Sequence, residues 1–79
     1  MRLDKYLKVS RLIKRRTVAN EACDAGRVTV NGKMARASYA VKPGDVIEIS
    51  FGTKSVKVEV LSVAETTKKD EASDLFRYL

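Results

Sequence analysis

Apolar residues at helical spacing open the chain. At 100° per residue, Leu3, Tyr6, Leu7 and Ser10 lie on one side of a helix, which the pattern predicts over residues 3–11. A second helix is predicted over residues 17–25. Its apolar stripe is Val18, Ala19, Ala22 and Cys23. Gly26 follows it and can adopt the positive φ that often ends a helix. Both helices are too short to be stable alone, so each must pack on other elements.

The period then changes from 3.6 to 2, which indicates antiparallel strands. Asn31-Gly32 predicts a two-residue type I′ turn between a strand that contains Val28 and Val30 and a return strand that starts at Lys33. Residues 36–42 are irregular, and Pro43-Gly44 reads as the centre of a type II turn. A strand is expected over 46–51, with Ile47, Ile49 and Phe51 on one face. Its partner contains Val56, Val58 and Val60 and ends there or at Val63.

The last twelve residues have Ala72, Leu75, Phe76 and Leu79 at i, i+3, i+4 and i+7. This spacing predicts a short amphipathic helix over 68–79. Its stripe either packs on the domain or binds a partner protein. The order of elements predicts an α+β fold in one domain, residues 1–79.

Composition excludes several classes of site. The chain of 79 residues has no His and a single Cys, so it cannot hold a Ser-His-Asp triad, an intramolecular disulfide or a CxxC zinc site. Cys23 is expected to be a small buried hydrophobe. No pair of residues suggests acid–base catalysis, so we expect a protein that is not an enzyme and needs no metal or cofactor. The apolar runs are too short for a membrane span, and residues 1–5 do not begin a secretory signal, so a cytoplasmic protein is expected.

The positive charge is concentrated at one end. The first sixteen residues carry one acid, Asp4, and seven basic residues, which account for the whole net charge of +6. The basic residues are Arg2, Lys5, Lys8, Arg11, Lys14, Arg15 and Arg16. Basic side chains at this density repel one another unless a bound polyanion neutralises their charge. Guanidinium groups bind phosphate particularly well, because their planar fork can donate to two oxygens at once. A nucleic acid is therefore the expected partner.

Three residues in or near this segment have two readings each. Asp4 either holds a neighbouring arginine in position or caps its own helix. Tyr6 is either core or a platform on which an unpaired base stacks. Asn31, with Lys33 beside it, is either a turn residue only or a second RNA contact.

Four stretches together resemble the S4-type RNA-binding domain. They are Arg2-Leu3-Asp4-Lys5-Tyr6-Leu7, Arg15-Arg16 entering a helix with Ala19, Gly26-Arg27-Val28-x-Val30-Asn31-Gly32, and Val41-x-x-Gly44-Asp45-x-Ile47. The resemblance covers residues 2–49, and 50–79 would add the C-terminal strands and helix. It implies the S4-like (alpha-L) fold, in which two helices pack on a small bent antiparallel sheet and face structured RNA.

The free-standing S4 proteins of bacterial ribosome quality control are similar over a longer stretch. Residues 2–16, 41–45 and 66–72 carry this similarity. It implies binding to large ribosomal subunits obstructed by peptidyl-tRNA, with contacts to large-subunit rRNA and to the tRNA. It further implies support of C-terminal poly-alanine tailing by a partner of the NEMF type, and a monomer off the ribosome. Two alternatives remain: an S4 protein of the heat-shock type, which binds free large subunits carrying nascent chain and tRNA, and an adaptor that uses the C-terminal apolar stripe.

The resemblance also assigns residues to the RNA. Arg2, Asp4 and Arg16 match positions that face RNA in the family, and the charge pattern and the hairpin add the rest of the predicted site. Those further residues are Lys5, Lys8, Arg11, Lys14, Arg15, Asn31 and Lys33. Many S4-type domains have Ser or Thr where this chain has Arg15. This departure removes a side-chain cap from the second helix and adds charge to the surface.

Overall fold

A computed structural model describes residues 1–63 and 75–79. The helices are α1 (Leu3–Val9) and α2 (Arg16–Asp24). The strands are β1 (Val28–Val30), β2 (Lys33–Met34), β3 (Val46–Phe51), β4 (Lys54–Val60) and β5 (Phe76–Tyr78). All strands join one antiparallel sheet in the order β2-β1-β3-β4-β5. The predicted α+β class is confirmed, and no helix within the described residues is long and apolar enough to cross a membrane.

The register of the sheet lines up its apolar residues on one face. Val30 pairs with Ile47, which pairs with Val58, and Val28 pairs with Ile49. These side chains are buried in one cluster with Leu3, Tyr6 and Leu7 of α1 and Ala19 and Cys23 of α2. Because side chains alternate along a strand, Glu48 and Lys57, which pair with each other, lie on the opposite face of the sheet. The two helices therefore cover one face of the sheet, and no helix among the described residues covers the other.

Two turns fix where the helices and strands meet. The φ values of Asn31 (54°) and Gly32 (82°) are both positive, as a type I′ hairpin requires. At the end of α2, the Gly26 N–H donates to the Cys23 carbonyl and the Arg27 N–H donates to the Ala22 carbonyl. This is a Schellman motif, and the φ of 75° at Gly26 makes it possible.

Several predicted boundaries shift. α1 ends at Val9 rather than residue 11, because Arg11 has a φ of 65° that no right-handed helix accommodates. α2 begins one residue early and ends at Asp24. β4 stops at Val60 and does not reach Val63. Phe51 lies on the same face of β3 as Ile47 and Ile49, as predicted, but it ends the strand and leaves 46% of its surface exposed.

The predicted C-terminal helix was wrong where the structure describes it. Residues 76–78 form β5, which pairs Phe76 with Val60 along the free edge of β4. Leu75 and Phe76 are buried, so this part of the stripe packs on the domain, whereas Leu79 is exposed. Residues 68–74 of the predicted helix lie outside the described residues.

Tyr6 belongs to the core. Its ring is fully buried, and its hydroxyl donates a 2.6 Å hydrogen bond to the Leu75 carbonyl. Burial raises the pKa of Tyr6 well above its ordinary value of 10.0. The reading of Tyr6 as a stacking platform was therefore wrong.

Candidate RNA interface

A buried carboxylate organises the start of α1. Asp4 is 2% exposed, and its own N–H donates to the Ala37 carbonyl. Its Oδ1 accepts hydrogen bonds from the Lys5 backbone N–H at 2.8 Å and from the Arg2 Nε at 3.2 Å. Its Oδ2 accepts from the Asn20 Nδ2 at 3.2 Å and from the Arg16 Nε at 3.4 Å. We call these four side chains (Arg2, Asp4, Arg16 and Asn20) the Asp4 cluster.

Both readings of Asp4 are therefore correct. It accepts from the Lys5 N–H, one of the first-turn donors of α1 that have no partner within the helix. It also holds two arginines, one from the residue before α1 and one from the first residue of α2. Asp4 is thus the ion-pair link between the two helices.

Both arginines of the cluster keep accessible side chains, although the Arg2 Nη2 also donates to Asp4 Oδ2 at 3.5 Å. About half of each side chain is exposed, 51% for Arg2 and 48% for Arg16. Asp4 contacts Arg16 through Nε alone, and no described residue accepts from the terminal nitrogens of Arg16. A guanidinium held by its inner edge presents its remaining donors in a fixed fork, which suits phosphate oxygens.

The same contacts keep Asp4 ionised. Burial alone would raise the pKa of this carboxyl. The hydrogen bonds from Asn20 and from the Lys5 N–H, together with the charges of Arg16 and Arg2, outweigh burial and hold the pKa below its ordinary value of 3.8. Asp4 therefore carries its charge at every physiological pH.

Most of the other predicted cations lie on or beside the segment that joins the helices. Lys8 on α1, Arg11 and Lys14 in the connecting loop, and Arg15 are all exposed, and Lys5 is half-buried. The loop is anchored where the Ile13 N–H donates to the Leu7 carbonyl and the Ile13 side chain is buried. The charge is thus displayed from an ordered turn.

The start of α2 has no side-chain cap. Arg15 occupies the N-cap position in extended conformation and forms no capping hydrogen bond, as the sequence predicts for a basic residue at this place. The N–H groups of the first turn therefore lack a side-chain acceptor, which favours an anion there. Arg15 and Arg16 bring positive charge to the same end of the helix.

Asn31 takes part in a different cluster. Its Nδ2 donates to Asp45 Oδ1 at 3.2 Å, and its Oδ1 accepts from the Val46 N–H at 2.9 Å. Asp45 Oδ2 also accepts from the Tyr39 hydroxyl at 3.1 Å and the Lys42 N–H at 3.0 Å. The structure thus gives Asn31 a structural role in this Asp45 cluster (Asn31, Tyr39 and Asp45). Lys33 is exposed on β2 and takes no part in it.

Sequence reasoning missed Asn20. It lies on α2, four residues after Arg16, and this spacing places both side chains on one face of the helix. That spacing is a signal that could have been found, but the contact with Asp4 spans sixteen residues and depends on how the helices pack.

A concavity of about 370 Å³ opens beside the Asp4 cluster. It is lined by Asp4, Arg16, Thr17, Asn20 and Glu21. Within residues 1–63 and 75–79, no three His, Cys, Asp or Glu side chains are grouped so as to hold a metal ion. Cys23 is buried, and burial is the main cause that raises the pKa of its thiol to about 11, so it is a poor nucleophile.

Comparison with known proteins gives a consistent family. The model of the S4 domain matches residues 1–47, which include every residue of the predicted site. A protein named RQC P-site tRNA stabilizing factor from Halalkalibacterium halodurans is 60% identical over 76 residues, covering 96% of this chain and 86% of that protein. The protein of the same name from Bacillus subtilis is 56% identical over 79 residues, covering 100% of this chain and 92% of that protein.

Two solved structures share the fold. Heat shock protein 15 of Vibrio cholerae, described as trimeric, superposes with a TM-score of 0.92 at 29% identity, covering 100% of this chain and 81% of that chain. The solution structure of the hypothetical protein HP1423 superposes with a TM-score of 0.85 at 30% identity, covering 100% and 96%. The expected S4-like fold is thus confirmed. By the family match and by its full-length similarity to these relatives, the chain belongs to the S4 domain family and, within it, to the RQC P-site tRNA stabilizing factors.

Proposed function

We propose that this protein is a non-catalytic, cytoplasmic RNA-binding factor that stabilises P-site peptidyl-tRNA on stalled large ribosomal subunits. It contacts large-subunit rRNA and the tRNA together. It supports poly-alanine tailing of the nascent chain by a partner of the NEMF type, and it is a monomer off the ribosome. The name shared by its similar relatives supports the general role.

The observation that carries the proposal is the Asp4 cluster. A buried acid fixes two half-exposed guanidinium groups, and five further cations surround or follow them in the first sixteen residues. A surface of this kind binds a phosphate backbone and adds geometric selection through the arginine forks. The Asn31 side chain bonds Asp45 and the Val46 N–H, so we do not propose that it contacts RNA directly. The exposed hairpin that contains Asn31 and Lys33 remains a proposed RNA contact.

A heat-shock-type role is the second candidate. The similarity in fold to Vibrio cholerae heat shock protein 15 favours it. The chain covers only 57% of the heat shock protein 15 homologue of Aeromonas salmonicida, against 92% of the Bacillus subtilis factor, so the first candidate is the better supported. The adaptor reading loses its basis, because Leu75 and Phe76 of the stripe are buried.

The decisive test compares two charge reversals. Arg16→Glu changes an arginine of the Asp4 cluster, and the control Lys57→Glu changes an exposed lysine on the outward face of the sheet. Both change the net charge equally. We expect Arg16→Glu to weaken binding to large subunits that carry peptidyl-tRNA by at least about tenfold, and Lys57→Glu to change it little. Equal losses in two folded variants would show that only net charge matters.

Salt dependence and tailing separate the finer claims. If about five phosphates are neutralised, log K should fall with log salt at a slope of roughly −3.5. Cells that carry Arg16→Glu should also lose alanine tails on stalled chains. Normal tailing despite lost subunit binding would reject the quality-control role, and an affinity independent of salt would reject the phosphate-binding surface.

A further inference from the structure

The concavity beside the Asp4 cluster differs chemically from the surface around it. Four of its five lining side chains come from α2, and the three after Arg16, namely Thr17, Asn20 and Glu21, follow the i, i+3, i+4 spacing. All three can accept a hydrogen bond. The neighbouring segment, residues 1–16, presents cations almost exclusively. The protein thus places acceptors directly beside an arginine on a surface otherwise suited to phosphate.

The orientation of Asn20 follows from the charge of Asp4. An ionised carboxylate can only accept, so the amide must turn its Nδ2 toward Asp4 and keep its Oδ1 away from it. Asn20 is half-buried and lines the concavity, and no described residue donates to its Oδ1. An acceptor fixed in this way remains for an incoming ligand.

Glu21 is the second acceptor that lines the concavity. It is exposed, and no described cation forms an ion pair with it. A carboxylate that lines the same concavity as Arg16 repels any phosphate that approaches from its side, which lowers general affinity for RNA. Its position is understandable if the ligand presents hydrogen-bond donors at this point and its phosphate to Arg16.

We propose that the concavity binds one unstacked guanine nucleotide, whose phosphate contacts Arg16 and whose base donates to Glu21 and Asn20. The proposal rests on the RNA-binding function proposed above. Guanine presents two adjacent N–H donors, N1–H and the N2 amino group, on the edge by which proteins read unpaired bases. The Watson–Crick edge of uracil has one N–H between two oxygens that a carboxylate repels, and adenine pairs its amino group with a ring acceptor. A volume of about 370 Å³ lies in the range of small-ligand sites.

The test uses four stem-loop RNAs that differ in one unpaired loop residue: guanosine, inosine, adenosine or uridine. Inosine keeps N1–H but lacks the N2 amino group. Affinities are measured by fluorescence anisotropy with the whole chain. We expect guanosine to bind about tenfold more tightly than adenosine or uridine, with inosine between them. Glu21→Gln should abolish this ratio, and the control Glu48→Gln, on the outward face of the sheet, should keep it.

The outcomes distinguish the subsite from the general function. Equal affinity for all four RNAs with a normal salt slope overturns the subsite and leaves the RNA-binding function standing. Loss of binding by all four contradicts the function itself. If Glu21→Gln raises every affinity by the same factor, Glu21 is only a repelling surface charge and the subsite is rejected. If the four bases bind equally and 2′-deoxyguanosine at the same position binds more weakly, the ribose hydroxyl is the donor and guanine recognition is rejected.

Discussion

Two buried aspartates use the same chemistry for different ends. Asp4, 2% exposed, accepts from two arginines, an amide and a backbone N–H, and the arginines remain half-exposed. Asp45, 9% exposed, accepts from an amide, a phenol and a backbone N–H, and no described cation pairs with it. Each carboxylate has one asparagine partner, Asn20 or Asn31.

The difference lies in what the partners can still do. The partners of Asp45 belong to the hairpin and the loop that precede β3, so its hydrogen bonds close turns and fix the sheet. The partners of Asp4 include two half-exposed arginines, and we propose that its hydrogen bonds orient their charge toward RNA. Burial of an acid alone therefore does not mark a candidate site, whereas burial beneath accessible cations does. This comparison can be tested by treating the two clusters alike.

The largest effect on stability is expected from Asp45→Asn. The amide keeps the shape of the carboxyl but loses acceptor capacity for three donors, and at least one part-buried donor loses its partner. Such a group costs about 1–3 kcal/mol in the free energy of unfolding. Urea unfolding should show this loss, while RNA affinity of the folded variant stays within about twofold, because the Asp4 cluster keeps all its contacts. A large loss of affinity would show that the Asp45 cluster also binds RNA.

Asp4→Asn should reduce RNA affinity strongly and the free energy of unfolding only slightly, the reverse of Asp45→Asn. Arg2 and Arg16 lose their anchor and gain freedom, so we expect RNA affinity to fall about tenfold even though the net charge rises by one. The loss of unfolding free energy should be smaller than for Asp45→Asn, about 1 kcal/mol, because both arginines can turn to solvent. Anisotropy titrations and urea unfolding check the two parts. A rise in affinity would mean that net charge, and not orientation, governs binding.

The two asparagines offer a matched pair of smaller effects. Asn31→Gly keeps the positive φ of the turn but removes the side-chain hydrogen bonds to Asp45 and Val46, so the free energy of unfolding should fall by about 1 kcal/mol.

Asn20→Ala removes one hydrogen bond to Asp4 and should weaken RNA binding about threefold. In a double-mutant cycle on an RNA that lacks the unpaired guanine, Asn20→Ala and Arg16→Ala should be non-additive in affinity, because without the base contact Asn20 acts only through the position of Arg16. Additive losses would contradict that positioning role.

The smallest and most selective test is pH. The folded pKa of Asp4 is below 3.8, so its contribution to stability is complete above about pH 4 and is lost as pH falls through the folded value. Burial first, and then the hydrogen bond to Asp45 and its charge, raise the pKa of Tyr39 above 10.0. That contribution is complete below pH 10 and is lost as pH rises through the folded value.

The Asp4 cluster should therefore lose its contribution to the free energy of unfolding at acid pH, and the Asp45 cluster should lose its contribution at alkaline pH. Asp4→Asn should flatten the acid side of the unfolding free energy, and Tyr39→Phe should reduce the slope on the alkaline side. Because the chain has no His, RNA affinity at constant salt should change by less than about twofold between pH 5 and 8. A marked change in that range would place a titrating group at the interface that these contacts do not include.

Local signals in the sequence predicted the parts of the fold that depend on local chemistry. The turn at Asn31-Gly32 and the end of α2 at Gly26 follow from which residues tolerate positive φ, and the structure has both. The tail was misread because its i, i+3, i+4, i+7 spacing is typical of a helix. The conformation of Phe76 is decided instead by the free edge of β4, a partner sixteen residues away in the sequence.

For the candidate site too, the sequence predicted the local features but not the contacts that depend on tertiary packing. The basic segment is visible in the sequence, and the resemblance to S4 domains assigned Arg2, Asp4 and Arg16 to one surface. Neither source could show that Asp4 also holds Asn20, or that Asn31 turns its side chain to Asp45, since both contacts depend on tertiary packing. Whether the ten predicted residues bind RNA stays a prediction.

The hydrogen bond from Tyr6 to the Leu75 carbonyl has a consequence for the order in which the chain folds. It joins residues 69 positions apart, and β5 completes the sheet right beside it. Residues 1–60 leave the ribosome before residue 75. During synthesis, the Tyr6 hydroxyl therefore lacks its acceptor at Leu75, and β4 lacks the strand that pairs with its edge. Late, long-range contacts of this kind slow folding. A protein proposed to act on stalled ribosomes would thus itself depend on uninterrupted translation through residues 75–78 before its own core could close.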